Sequence, residues 1–549
     1  MRRFARSRWF PVALFAGVVA YVLVVGMETS VYDDALFFKR FARNFSNHGV
    51  FAWNAEEGPV HGNTSQLFQG LATGVAALAG DWYLLATKTL SAVLLVCAFA
   101  LLVRLVRRRG GNPGILLFGL ATPIVLGVVH TGMETALVLF VLALVHRFVP
   151  LDPARRFEPF RAAGLTTLVY LARPDAVLLP ALSTLFGQAR GRPRAAALYA
   201  VALGLGLGAF LLAFHVYYGS ALPLAAYWKT LAFERYDPSF VAAGEIWKRR
   251  YLLTFGLFAA PLVWVAVAAR AGKSRPLLVA VAGFVAYHAL MTNEVMGYRA
   301  RFYVPALVPL AVAAAFAWPK FRVRSSRIAR RVFAVAWAAL ALVAFRLELL
   351  DTGASPVHSA LPLGSIAAWL AGVGIAIAAP ERLRGTGAWL VGALLVACGV
   401  SWLPPRVPRA LADRGFVERA AQGVTTVRGL FDVEACLPSN IHVYHSEIGV
   451  PGVVLPAARI TDLAGLMSNE LTFERPRLDA LCRRDRPEVL FLPHRVYAAA
   501  NRELMQGECL RGYTRVVDAS SSPLYVRSDL VAPFLACART IWPFTTLRR

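Results

Sequence analysis

Charge is scarce and lopsided in this 549-residue chain: Asp, Glu, Lys and Arg make up 16% of it, with 32 acidic against 58 basic residues. A soluble globule carries roughly 25% charged residues. That shortfall, beside 57% hydrophobic residues and a mean hydropathy of +0.54, excludes an ordinary water-soluble protein. Cysteine is sparse too, at six, and no C-x-x-C or zinc-ribbon spacing occurs, so no structural metal is expected. Low-complexity tracts and clear internal repeats are missing, which argues against a transporter built from duplicated halves. What remains is a polytopic α-helical membrane protein.

The net charge of +26 does not imply nucleic acid, because the basic residues fall in short clusters between apolar runs. The clusters are Arg2 to Arg8, Arg104 to Arg109, Arg147 to Arg161, Arg190 to Arg194, Arg270 to Arg275, Lys320 to Arg331 and Arg382 to Arg384. This recurrence is the positive-inside signature of cytoplasmic loops, and it places the N-terminus in the cytoplasm of a bacterial inner membrane protein. Trp9 to Met27 follows the first cluster without an A-x-A-like site and is long enough, at ~1.5 Å per residue, to cross the hydrocarbon. Further spans are expected at 83–104, 114–130, 134–148, 161–172, 175–187, 196–218, 251–270, 276–292, 301–318, 330–350, 362–379 and 387–403. The total is about thirteen, so the chain ends outside. Leu67 to Ala79 is too short to span and would invert the cluster pattern if it did, so it reads as an interfacial or re-entrant helix.

The division is therefore a membrane domain over 1–403, with a first extracytoplasmic loop at 28–82, and an extracytoplasmic soluble domain over 404–549. From Pro404 the composition shifts to charge, proline and short β-like runs such as Ile441 to His445 and Val489 to Leu492, which predicts an α/β domain. Cys436, Cys482, Cys509 and Cys537 all lie there and allow two disulfides in three pairings.

The most informative segment is Val31 to Gln66, acidic and aromatic, in that first loop. Asp33 and Asp34 stand where a membrane helix surfaces, and ionisable groups at that depth are functional candidates by default. Asp before an apolar-periodic run is also a common helix cap, and one aspartate can cap while its neighbour, turned ~100° away, faces a cavity. Leu36, Phe37, Arg40, Phe41 and Phe45 predict a juxtamembrane amphipathic helix over 34–46.

D-D-A at Asp33 is followed by R-F-A-x-N at Arg40 to Asn44, H-G at His48, W-N at Trp53 and Asn54, and G-x-T-S at Gly62 to Ser65. Further on come T-G-M-E-T-A-L at Thr131, A-R-P-D at Ala172, Y-Y-G-S-A-L-P at Tyr217, G-Y-R-x-R-F at Gly297 and D-L-A-G-L at Asp462. Together these resemble GT-C superfamily membrane glycosyltransferases, in particular polyprenyl-phosphate-dependent arabinofuranosyltransferases. The resemblance implies a polyprenyl-phosphate sugar donor, a glycan or lipid acceptor, and a first-loop aspartate as catalytic base, here Asp33, with Asp34 the second candidate. At His61 and Asn63 the sequence departs from the family pattern, an acidic residue, Gly and Tyr before the T-S or T-N pair, which leaves the sugar open.

Transfer from a phosphate needs a base at the acceptor and cationic support for the leaving group, but no second carboxylic acid, because phosphate already leaves well. Lys229, Arg299 and Arg301, near an expected outer mouth, suit the phosphate, although Arg301 also suits interfacial snorkelling. Arg40, Asn44, Trp53, Asn54, His61, Asn63 and Thr64 are candidate substrate contacts. Glu134, Arg173 and Asp175 join them, with structural pairing as the competing role. Trp53 could stack on a sugar ring. His442, His445 and Glu447 form an H-x-x-H-x-E string that a strand would point to opposite faces, so no metal site is assigned, while a divalent ion assisting the donor stays open. A transporter or flippase of lipid-linked sugars and an oligosaccharide or O-antigen ligase are the alternative functions.

Cysteines introduced beside Asp33 and Asp34 should react with a membrane-impermeant maleimide from the non-cytosolic side. Labelling confined to the cytosolic side would overturn this topology.

Overall fold

The computed structural model describes residues 10–26, 33–150, 152, 154–228, 238–269, 274–292, 300–324, 326–346, 425–493, 497–517 and 523–541. The expected spans 362–379 and 387–403, and the cations Lys229 and Arg299, lie outside the described residues. The chain divides into two compact units. One comprises Met1–Ser30, Lys88–Ala209 and Glu245–Val407; the other comprises Val31–Thr87, Phe210–Gly244 and Pro408–Arg549.

The first unit is helical. Among the described residues four helical stretches are long and apolar enough to cross a membrane: Gln66–Arg108, which the short turn Gly80–Trp82 divides in two, Pro193–Tyr218, Gly244–Ala268 and Val304–Phe321. A 26-residue helix such as Pro193–Tyr218 runs about 39 Å, longer than a hydrocarbon core of about 30 Å. It exposes Leu205 by 71% and Val216 by 77%, an apolar flank suited to lipid and costly in water. The Tyr83–Arg108 helix ends in Arg107 and Arg108, and Thr135–Phe148 ends in His146 and Arg147, where positive charge complements the helix dipole. Small residues allow close approach: a Cβ on Gly119 would lie 2.7 Å from Ala311 Cβ.

Residues 114–130, expected as one span, form three short helices instead: Gly114–Leu120, Pro123–Leu126 and Val128–Thr131. Pro123 has no N–H for the helical ladder, and Gly132, at φ +62°, ends the last piece in the left-handed region. The expected span 251–270 is the C-terminal part of a longer helix, Pro238–Ala268.

The second unit combines helices from the early loop with a five-stranded sheet. The strands are β1 His442–His445, β2 Arg459–Asp462, β3 Val489–Phe491, β4 Tyr513–Val517 and β5 Leu524–Arg527, in the order β2-β1-β3-β5-β4. β1 pairs in parallel with β2 and β3, and β5 runs antiparallel to β3 and β4. Tyr444, Leu463, Leu471, Leu481, Leu490 and Leu504 are buried together on one side. Asp33–His48 is the expected amphipathic helix, but its buried stripe is Leu36, Phe38, Arg40, Phe41 and Asn44. Phe37 is half-buried, and Phe45 is exposed and stacks on Phe51. The Gln66–Ala79 helix is separate, capped at its start by Ser65 Oγ accepting from Phe68 N and closed by Gly80 at φ +54°.

Of the three possible cysteine pairings the structure has Cys436–Cys537 and Cys482–Cys509. Non-reducing peptide mapping should recover these two linkages, and peptides joined in either other pairing would contradict the C-terminal fold.

Candidate active site

Asp33 opens its helix, and its side chain reaches the start of another. Oδ2 accepts from Gly449 N at 2.9 Å and Oδ1 from Val450 N at 2.6 Å. These amides open the Gly449–Val454 helix that follows β1, where N–H groups have no partner in their own helix and the dipole favours an anion. The fit requires glycine: a Cβ on Gly449 would lie 2.0 Å from Asp33 O and 2.8 Å from its Cγ.

Burial raises the Asp33 carboxyl to about 6, against the two amides that lower it, and repulsion from Asp34 adds to the rise. Glu447, two residues before Gly449, is pushed well above the ordinary carboxylate range by burial and by the charges of Asp33, Asp34 and Asp462. Asp462, at the end of β2, is raised to about 7 by burial, although it accepts from the amides of Ala464, Leu466 and Met467. Four carboxylates thus share one region. Burial, opposed by the two amides, keeps Asp33 basic enough to take a proton near neutral pH while leaving it mostly ionised there.

Arg40, Asn44, Trp53 and Asn54 come together beneath this region, bonded to protein partners. Buried Arg40 donates Nε to Trp53 O at 2.8 Å and Nη2 to Asn54 Oδ1 and Ala458 O at 3.0 and 2.8 Å. Asn44 Nδ2 donates to Ala52 O and Trp53 O. Asn54 receives from Ile460 N and donates to Ile460 O, adding a rung beside β2. Trp53 is 1% exposed, donates Nε1 to Ile460 O and has Arg40 4.6 Å over its ring, so no ring face is open for sugar stacking. These four residues position the Asp33 helix against the sheet.

His61 is buried, stacks on Tyr218 at 4.7 Å, faces Ser220 O through Nδ1 and is held neutral by burial, which lowers it to about 4. Its Nε2 has no hydrogen-bond partner among the described residues. Asn63 donates to Gln69 Oε1, and Thr64 is half-buried next to the capping Ser65.

In the first unit, Asp175 binds Arg173 Nε at 2.8 Å and His288 Nε2 at 2.9 Å. Arg173 lies 4.9 Å over Phe302, and its buried Nη1 has no hydrogen-bond partner among the described residues. Arg301 is buried with Nη1 at 2.9 Å from Met133 Sδ, and the Oε2 of the neighbouring buried Glu134 likewise has none among them. Lys88, in the Tyr83–Arg108 helix, is 1% exposed.

Sequence reasoning missed Gly449, Val450, Lys88 and His288 and gave Glu447 and Asp462 no site role. Lys88 carried a signal, as a lone cation inside an apolar run. Gly449 and Val450 did not, because they lie more than 400 residues from Asp33. The H-x-x-H-x-E string has no metal geometry: His442 Nε2 pairs with Thr461 Oγ1, and His445 Nδ1 accepts from Glu447 N. Among the described residues no group of three or more such side chains is arranged to hold a metal ion.

The described residues thus combine long apolar helices with a unit in which the early loop packs on a mixed five-stranded sheet. Among solved structures, the chain is similar to ArnT from Cupriavidus metallidurans bound to undecaprenyl phosphate, at 16% identity and a TM-score of 0.56, over 95% of this chain and 99% of that one. The apo form of the same ArnT matches at 15% identity and a TM-score of 0.58, over 94% and 98%. No protein-family model matches the sequence, and a search of curated proteins gives no match.

Gly449→Ala should displace Asp33 and lower turnover about 100-fold, the effect of a misplacement of roughly 1 Å. Because the clash is with backbone, its melting temperature should fall as well, and turnover is compared well below it. Turnover at the parent rate would show that the Asp33–Gly449 contact has no catalytic consequence.

Proposed function

We propose that the chain is an inverting glycosyltransferase that moves a pentosyl or hexosyl group from a polyprenyl-phosphate donor to a cell-envelope glycan or lipid acceptor at the outer face of the inner membrane. The observation that carries this reading is the Asp33 carboxylate, gripped by two amides and raised to about 6. In the reaction, Asp33 takes the acceptor hydroxyl proton as that oxygen attacks the anomeric carbon. The bond from that carbon to the phosphate oxygen breaks, and polyprenyl phosphate leaves with the bonding pair. By sequence, Arg301, Arg299 and Lys229 are the cations suited to the departing phosphate. Undecaprenyl phosphate bound to the similarly folded ArnT supports a lipid donor of this class. Two disulfides in the C-terminal segment support an extracytoplasmic, oxidising location for it.

The Arg173–Asp175–His288 assembly favours a second reading, a ligase that transfers a whole glycan and relies on Arg and His. In that case His288→Ala loses turnover and Asp33→Asn keeps it.

The test is release of free polyprenyl phosphate by purified protein from a panel of polyprenyl-phosphate sugars, with the new glycosidic bond followed alongside. Asp33→Asn should lose about 10²- to 10⁴-fold, the span for a general base. The base acts as carboxylate, so kcat/KM should rise with pH through about 6 and level off above it. Sugar moved across the bilayer with no lipid phosphate released would make the protein a carrier.

A further inference from the structure

The second unit holds a cavity of about 260 Å³ between the 53–60 loop, β2 and the 467–471 turn. Its volume falls below the roughly 300–1,000 Å³ of sites for drug-sized ligands, which suits one or two sugar rings. Carboxylates of Glu57, Asp462, Glu470 and Asp485 line it, with Arg459 the cation on the wall. Arg484, paired with Glu470 and Asp485, brings the balance to four carboxylates and two guanidinium groups. An anionic ligand meets net repulsion here.

The polar wall is already ordered. Glu57 accepts from Arg459 Nε at 2.9 Å and Asn54 Nδ2 at 3.1 Å, and Glu470 holds Arg484 at 2.6 and 3.2 Å. Each carboxylate keeps lone pairs beyond these bonds, and Arg459, 41% exposed, binds Glu57 through Nε and leaves other donors of its fork for a ligand. Pro59, Val60 and Leu471 add apolar wall. Fixed acceptors, a few donors and apolar patches complement a ring with hydroxyls on its edge and C–H groups on its faces. Asp462 stands on the cavity wall at the end of β2, in register with His445 at the end of β1, and the chain leaving β1 leads to the Gly449 and Val450 amides that hold Asp33.

We propose that this cavity is the acceptor subsite and that it takes an uncharged saccharide, so that the acceptor is a neutral glycan. The identity of that saccharide as acceptor rests on the glycosyltransferase reading; the existence of the subsite does not.

The full-length Asp33→Asn protein in nanodiscs, given no donor so that nothing turns over, is titrated with neutral pentose and hexose di- and trisaccharides and with their uronate counterparts, and saturation-transfer NMR reads binding. At least one neutral saccharide should bind saturably and its uronate at least tenfold more weakly. Adding Arg459→Met or Glu470→Gln should weaken binding at least tenfold while the melting temperature holds. No saturable neutral binding, a tighter uronate, or unchanged affinity in both variants would overturn the subsite. Polyprenyl phosphate release by the wild type is scored separately. Binding without release sinks the catalytic reading and leaves the subsite, and release without binding sinks the subsite alone.

Discussion

A carboxylate meant to act as a base has to be withdrawn from water to gain basicity, yet held by donors so that it keeps its charge and its aim. Asp33 meets both demands through one contact, its two oxygens on the amides of Gly449 and Val450. Burial alone would favour the neutral acid, and the amides alone would leave a weak base. The balance at about 6 belongs to the pair of elements and to neither one alone. It also ties the first loop to the sheet, because the helix start that grips Asp33 follows directly from β1.

Arg40 stabilises that tie. A buried guanidinium is expensive unless its donors are satisfied, and here carbonyls of Trp53 and Ala458 and the amide of Asn54 satisfy them. Breaking such a buried charge network typically costs about 3–5 kcal/mol, a large part of the stability of a domain. Arg40, Asn44, Trp53 and Asn54, candidates for substrate contact by motif, thus also hold the frame through bonds to protein partners. Gly465 belongs to the same frame: at φ +79° it turns the chain below Asp462, and Trp228 donates to its carbonyl at 3.0 Å.

Much of the helical architecture was legible in the order of residues. The amphipathic helix from Asp33, the separate helix after Ser65 and the long apolar helices follow from hydrophobic period, capping and breakers, which act within a few residues. β1 and β3 were legible as β-branched runs, whereas β2, with Arg459 and Asp462 at its ends, was not, because its pairing with β1 decides it. The broken run at 114–130 shows the limit of hydropathy, which reads apolar content and is blind to where Pro123 and Gly132 interrupt the ladder.

By itself the sequence determined that this is a membrane chain of helices with a polar, cysteine-bearing C-terminal segment, and that the tandem aspartates are its leading chemical candidates. Those properties depend on composition and short-range pattern. Only the tertiary structure decided what Asp33 touches, which cysteines join, which motif residues bond to one another, and that a polar cavity lies along β2. Each of these depends on contacts between segments tens to hundreds of residues apart, and no local period or propensity encodes such a meeting.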